Sequence, residues 1–179
     1  GFLKAVGDFH PEHKIPFHIA DAQGGVDWLG GHGEPEEGME SYSRLLQRID
    51  TVVMGWNTYH QVTTQLSPDR WVYEGLHTYV ITHRPLPAAP GITFTAEAPC
   101  ALVRRLRREE GKAVWICGGG SVVQPLVRED LINEYHLSLI PTILGSGIRL
   151  FGELADQRKL RLVHTQSTGG IAELIYRRR

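Results

Sequence analysis

Val114-Trp115-Ile116-Cys117-Gly118-Gly119-Gly120-Ser121-Val122 decides the reading of this chain. An apolar run of strand length meets three glycines, and helical spacing begins directly after them. Glycines let the backbone approach a ligand closely, and the unpaired N–H groups at the head of a helix attract an anion such as a phosphate or pyrophosphate. The same residues also suit a tight strand-to-helix turn with no ligand, and this segment alone does not choose between the two. It has neither the G-x-G-x-x-G fingerprint nor the Lys-Ser/Thr pair that completes a P-loop. An ordinary Rossmann site and a P-loop triphosphatase are therefore excluded.

Two further strand ends repeat the logic. Thr51-Val52-Val53-Met54 is a short buried-type strand that runs through Gly55 and Trp56 into Asn57, Thr58 and Tyr59. Asn57 is placed to cap a helix over residues 58–66, and Thr58 adds a hydroxyl near the helix head. Val80-Ile81-Thr82-His83-Arg84-Pro85 leaves a strand with a hydroxyl, an imidazole and a guanidinium in a row. The planar fork of Arg84 suits a phosphate. Three strand ends with anion chemistry in an open α/β sheet point to a dinucleotide lying across the carboxyl ends of the strands.

Outward from these ends the pattern alternates. Tyr42, Leu45, Leu46 and Ile49 form one helical stripe. Residues 77–82 and 92–95 read as strands. Pro99 opens a helix whose inner face is Leu102, Val103 and Leu106 and whose outer face carries Arg104, Arg105, Arg107 and Arg108. Residues 132–144 read as a long strand broken near Pro141. Residues 160–166 and 171–176 flank Ser167-Thr168-Gly169-Gly170, a hairpin signal. At the start of the chain, residues 10–16 read as a loop, with a first strand over residues 2–6 as one option.

The 179 residues fit one domain and are enough for a substantial core. Nineteen Lys and Arg stand against twenty Asp and Glu, a net charge of −1, which gives no reason to expect nucleic acid or an anionic membrane as partner. No apolar run approaches the roughly 18 residues of a membrane span, and the first residues contain no signal-peptide core. Cys100 and Cys117 are too few for a disulfide scaffold and suit a reducing compartment, so a cytoplasmic protein is expected. No ligand partner accompanies His10 and His13 at metal spacing, and no metal is expected.

These stretches, together with Ile140-Pro141-Thr142-Ile143-Leu144-Gly145-Ser146-Gly147-Ile148-Arg149-Leu150-Phe151, resemble the dihydrofolate reductase-like superfamily. Within it they resemble the C-terminal reductase domain of the bifunctional riboflavin-biosynthesis deaminase-reductase. The likeness runs over residues 19–176 in order. It implies a single-domain, three-layer α/β sandwich: a mixed, mostly parallel central sheet with helices on both faces and a C-terminal antiparallel hairpin. It also implies a homodimer that reduces a small heterocyclic substrate with NADPH, the nearest family activity being reduction of 5-amino-6-(5-phosphoribosylamino)uracil. A dihydrofolate reductase and a nucleotide-binding protein without catalysis are the alternatives.

By the same resemblance Ala20 is a cofactor-binding residue, Gly55, Trp56, Asn57, Thr58, Thr82, His83 and Arg84 hold the adenosine phosphates, and Gly118, Gly119, Gly120, Ser121 and Val122 lie along the pyrophosphate and nicotinamide. Trp28, Tyr59, Leu144 and Gly145 face the substrate, and Asp27 is the candidate proton relay, set against the reading of a loop aspartate in a local turn. Trp56 stands where the family has Arg, which removes a cation for the 2′-phosphate and opens the site to NADH. Cys117 has no neighbouring base and is not expected to be a nucleophile.

Overall fold

The computed structural model describes residues 3–5, 18–29 and 39–179. The chain passes in order through β1 (Leu3–Ala5), β2 (His18–Ala20), a 3-10 turn at Asp27–Leu29, α1 (Met39–Arg48), β3 (Ile49–Gly55), α2 (Trp56–Gln61), β4 (His77–Ile81), β5 (Ile92–Thr95), α3 (Pro99–Leu106), β6 (Ala113–Gly118) and α4 (Gly120–Arg128). It closes through β7 (Glu134–Leu139), β8 (Ile148–Arg149), β9 (Leu160–Thr168) and β10 (Ile171–Arg178). The chain folds into two compact units, one of Ser43–Leu131 and one of Gly1–Tyr42 with Ile132–Arg179. The predicted loop at residues 10–16, with His10 and His13, lies outside the described residues.

The unit of Ser43–Leu131 is built on a four-stranded sheet in the order β5-β4-β3-β6, every pair parallel. Parallel strands covered on both faces need continuous apolar runs. Val52, Val53 and Met54 at the centre of β3 are accordingly fully buried. Pro99 stands in the first turn of α3, where its missing N–H costs nothing. Leu102, Val103 and Leu106 are buried as the spacing predicts, while Arg104, Arg105, Arg107 and Arg108 are exposed. Of the predicted helical stripe Leu45 is buried in α1, while Ile49, also buried, is already the first residue of β3. Leu102 and Leu126, both without exposed surface, each contribute about 1.5–3 kcal/mol through burial.

Two sequence expectations need correction. Asn57 does not cap α2: the cap residue is Gly55, in extended conformation and with no side-chain cap bond, and the helix begins at Trp56. The strand passes into the helix without a linker, so Asn57 falls inside the first turn, and a π-helical stretch, Val62–Leu66, continues the helix. The predicted strand over 132–144 is also too long, since β7 spans only Glu134–Leu139. Pro141 has no N–H to continue a ladder and constrains the residue before it. The chain folds back there, Thr142 N–H donating to the Ile140 carbonyl at 2.7 Å.

In the other unit the strands form a sheet in the order β1-β7-β10-β9 and a separate pair, β2-β8. β1 runs parallel to β7, and β10 is antiparallel to both β7 and β9. The predicted C-terminal hairpin is present. Its strands close to a two-residue turn, Gly169-Gly170, both residues at positive φ, the conformation that matches strand twist. No helix among the described residues is long and apolar enough to cross a membrane.

Candidate functional site

The four parallel strands end along one edge. Gly55 at the end of β3 is level with Ile81 of β4, Ile81 is level with Thr95 of β5, and a register shift between Val53 and Met54 brings Gly118 of β6 beside Met54. From two neighbouring strands of this edge, helices leave immediately after a glycine cap: α2 after Gly55 and α4 after Gly119, neither cap making a side-chain hydrogen bond. The N–H groups at the head of each helix therefore look for acceptors outside the helix. At α4 the Gly119 carbonyl takes the N–H of both Val122 and Val123 at 3.0 Å, which leaves Gly120 and Ser121 as the donors nearest the edge.

The glycines keep the edge open. Gly118 has φ +117, a conformation that L side chains rarely adopt, and its peptide bond to Gly119 is cis. A Cβ on Gly119 would stand 3.5 Å from the Thr58 hydroxyl, so Thr58 of α2 lies against the exit of β6. A Cβ on Gly55 would meet Val122 Cγ2 at 3.3 Å, so its absence lets α4 settle on the end of β3. Gly55, Thr58, Gly118, Gly119, Gly120 and Ser121 are thereby gathered at this edge. Val122 is buried against Gly55, with its N–H spent inside the helix. Asn57 is exposed in the first turn of α2.

At the exit of β4, Thr82 is buried and its hydroxyl accepts the Arg84 N–H at 3.1 Å. Thr82 thus forms the turn that directs the exposed His83 and Arg84. The Arg84 guanidinium carbon lies 4.9 Å from the centre of the Trp56 ring. Trp56 begins a chain of half-buried and buried rings: Tyr59 at 5.7 Å, then Trp71 at 5.6 Å, Tyr73 at 5.2 Å and Trp115 at 5.3 Å, with Phe94 at 5.4 Å from Tyr59. The Tyr73 hydroxyl meets Cys117 Sγ at 3.2 Å. Burial pushes the Cys117 thiol above its usual range, only partly offset by that hydrogen bond.

The remaining predicted residues belong to the unit of Gly1–Tyr42 and Ile132–Arg179. Ala20 is buried at the end of β2. Asp27 is exposed on the 3-10 turn, and the Trp28 indole N–H donates to the Gly25 carbonyl at 3.3 Å. Leu144 is half-buried and Gly145 exposed. Two further residues shape this unit, the first of them as the local-turn aspartate that its sequence predicts. Asp21 accepts the N–H groups of Gln23 and Gly25 at 2.8 and 2.7 Å, and its own N–H donates to the Gly25 carbonyl at 3.0 Å, so it organises the turn that carries Trp28. An aspartate just ahead of Gly24-Gly25 was the available signal. Gly147 packs directly on the Ala20 backbone. Among the described residues no group of three or more His, Cys, Asp and Glu side chains is gathered as a metal site needs.

A parallel sheet with glycine-led turns at its carboxyl edge, joined in one chain to a C-terminal antiparallel hairpin, is the architecture of the dihydrofolate reductase-like class. Within that class the chain belongs to the RibD C-terminal domain family, which it matches over residues 19–172. It is 39% identical to the uncharacterized protein YwjB of Bacillus subtilis over 160 residues, 88% of this chain and 89% of YwjB. It is 24% identical to the uncharacterized protein YyaP of the same organism over 168 residues, 88% of this chain and 87% of YyaP. Among solved structures it resembles a protein of Shewanella sp. PV-4 provisionally assigned to riboflavin biosynthesis, with a TM-score of 0.76 and 27% identity over 90% of this chain and 92% of that one. The Thermotoga maritima diaminohydroxyphosphoribosylaminopyrimidine deaminase/5-amino-6-(5-phosphoribosylamino)uracil reductase shares the fold, with a TM-score of 0.62 and 15% identity over 90% of this chain but 53% of that longer one.

Proposed function

We propose that this chain is an NADPH-dependent reductase of a small heterocyclic substrate, of the ribosylaminouracil type that the family resemblance implies. The observation that supports the reading is the pair of glycine-capped helices, α2 and α4, that start from the adjacent strands β3 and β6 with no side-chain cap hydrogen bond at either head. The residues fit a dinucleotide. Gly118 and Gly119 offer backbone without bulk, Gly120 and Ser121 offer N–H groups to a pyrophosphate, and the Thr58 hydroxyl stands beside them. When bound, NADPH supplies the two electrons and the hydrogen that the substrate carbon takes up. The chain's own part is to fix orientation and to neutralise phosphate charge. The likeness, at 27% identity, to the Shewanella protein provisionally assigned to riboflavin biosynthesis supports the substrate class.

The test is a tryptophan-fluorescence titration of the purified protein with NADPH and separately with NADH, since Trp56 and Trp115 belong to the unit that holds this edge. Saturable NADPH binding, followed by loss of nicotinamide absorbance with a ribosylaminouracil, is expected. No binding of either nucleotide would overturn the cofactor reading. Binding with turnover of dihydrofolate alone would move the substrate to a pterin.

A further inference from the structure

Asp21 and Trp28 are joined through a single peptide group, the one that carries the Gly25 carbonyl. The Asp21 carboxylate oxygen Oδ1 accepts the N–H groups of Gln23 and Gly25 at 2.8 and 2.7 Å. The Gly25 carbonyl accepts in turn from the Asp21 N–H at 3.0 Å and from the Trp28 indole Nε1–H at 3.3 Å. Glycine is required for this closure, since a Cβ at Gly25 would overlap the Asp21 carboxylate. The Leu29 N–H donates to the Val26 carbonyl at 3.0 Å and closes the 3-10 turn that carries Trp28. The base of the turn is anchored as well: β2 pairs with β8, and Gly147 packs on the Ala20 backbone.

An indole has one hydrogen-bond donor and no acceptor. At Trp28 that donor is held by Gly25, and the ring is only half-buried. What the ring offers a ligand is therefore its face. An aromatic face recognises another flat, delocalised ring by offset stacking, with little regard to where that ring carries its polar groups. The bond to Gly25 also fixes the direction in which the face looks, so less freedom is lost when a ligand settles on it. Asp21 Oδ1 already takes two backbone N–H groups, and its influence on a ligand passes through the ring.

We propose that Trp28 is a stacking platform for the planar heterocycle of the substrate, and that Asp21 is the positioning residue that aims it, acting through the Gly25 peptide. The inference rests on the reductase reading. It goes beyond that reading by naming how the heterocycle is recognised and which carboxylate sets the recognition. Asp21 touches no substrate atom in this arrangement.

Two measurements on the full chain test this, the first without turnover. The indole N–H resonance of Trp28 is identified in isotope-labelled protein by its loss in Trp28→Phe. Its exchange with solvent deuterium is expected to quicken about fivefold in Asp21→Ala, the worth of one hydrogen bond that the carboxylate supports. Asp21→Asn is expected to rescue the wild-type rate, because its amide oxygen accepts the same N–H groups. The second measurement follows NADPH oxidation with 5-amino-6-(5-phosphoribosylamino)uracil. Trp28→Leu is expected to raise the KM for the uracil about fivefold or more, as loss of an aromatic stack does, and Trp28→Phe to raise it less. Asp21→Ala is expected to raise KM about two- to fivefold with kcat within about twofold of wild type, and Asp21→Asn to restore it. A merely structural role for Asp21 gives the opposite pattern, since loss of folded protein lowers kcat and leaves KM unchanged. If Asp21→Ala fails to fold, Asp21→Ser takes its place, its side chain being too short to reach both N–H groups. If dihydrofolate is the substrate, the same KM pattern is expected for its pterin ring. An exchange rate unmoved by Asp21→Ala, or a KM unmoved by Trp28→Leu, overturns the proposal while turnover keeps the reductase reading. A wild type that oxidises NADPH with neither substrate overturns the reductase reading and the proposal's stacking partner with it, whatever the indole shows.

Discussion

A methyl group on Gly147 would overlap the Ala20 carbonyl oxygen and stand 3.3 Å from that carbonyl carbon and 3.4 Å from Asp21 Cα. All three are backbone atoms, so no side chain can swing aside. Gly147→Ala is expected to destabilise the protein by about 1–3 kcal/mol, the usual penalty of overpacking, and a thermal melt followed by circular dichroism measures it. Gly55→Ala should cost less, since its nearest neighbour is the Val122 side chain at 3.3 Å. The Cys117 thiol makes a second prediction at this scale. Burial raises it above its ordinary 9.0, and the Cys100 thiol is raised for the same first reason. A raised thiol holds less thiolate at neutral pH, so alkylation of the native protein should be slow there and should quicken as the pH rises above the ordinary value. Mass spectrometry after iodoacetamide treatment reads this, and fast native labelling of Cys117 would contradict it. The glycines of the edge were legible in the sequence because their chemistry needs no side chain and lies within one local turn. Gly147 was not, since its partner Ala20 is remote in sequence, and neither was the Trp56–Arg84 stack, which two separate strands bring together.

Asp50 ties two elements that the sequence does not connect. At the start of β3 its carboxylate accepts the Lys112 N–H at 2.6 Å, just ahead of β6, and the Thr51 hydroxyl at 2.9 Å. The Lys112 N–H, above all, holds the Asp50 carboxyl below its ordinary 3.8. A lowered folded-state value means that this group's contribution is fully present above the unfolded-state value and is lost as pH falls through the folded one. Asp50→Asn is therefore expected to be less stable than wild type at neutral pH, with the gap closing in acid. Denaturant titrations at a series of pH values check this, and a gap independent of pH would remove Asp50 from the linkage. The parallel strands were legible because β3 and β6 are continuous apolar runs that end at glycine. Their register was not, since the shifts beside Ile49 and Met54 follow from ladder geometry and leave no trace in composition. The helix cap misled the reading for a related reason. Asn57 has the right chemistry for a cap, but the strand runs straight into the helix at Gly55, and position overrode propensity.

At the scale of the whole molecule the predicted meeting point with a second copy of the chain is the edge of a sheet. β9 is the outer strand of the β1-β7-β10-β9 sheet and spans nine residues, Leu160–Thr168. Leu162 and Val163 are 49% and 43% exposed, and Val163 is the extra residue where the β9–β10 register shifts, so the two do not alternate as in a regular strand. A long edge with exposed apolar groups is a template for another strand away from such a bulge. The charged groups on the exposed stretch are limited to Arg161 and, when protonated, His164. The net charge of −1 sets no long-range repulsion against association. The homodimer that the resemblance implies is predicted to form here, with β9 of one copy beside β9 of the other. Light scattering on the eluting protein should then give twice the 20.1 kDa of the chain. Leu162→Lys combined with Val163→Lys should shift it to the mass of one chain. Because the contact is backbone pairing and apolar cover, added salt should change the equilibrium little. A wild-type chain that stays monomeric at tens of micromolar, or a dimer that the double substitution leaves intact, would place association elsewhere than at this edge.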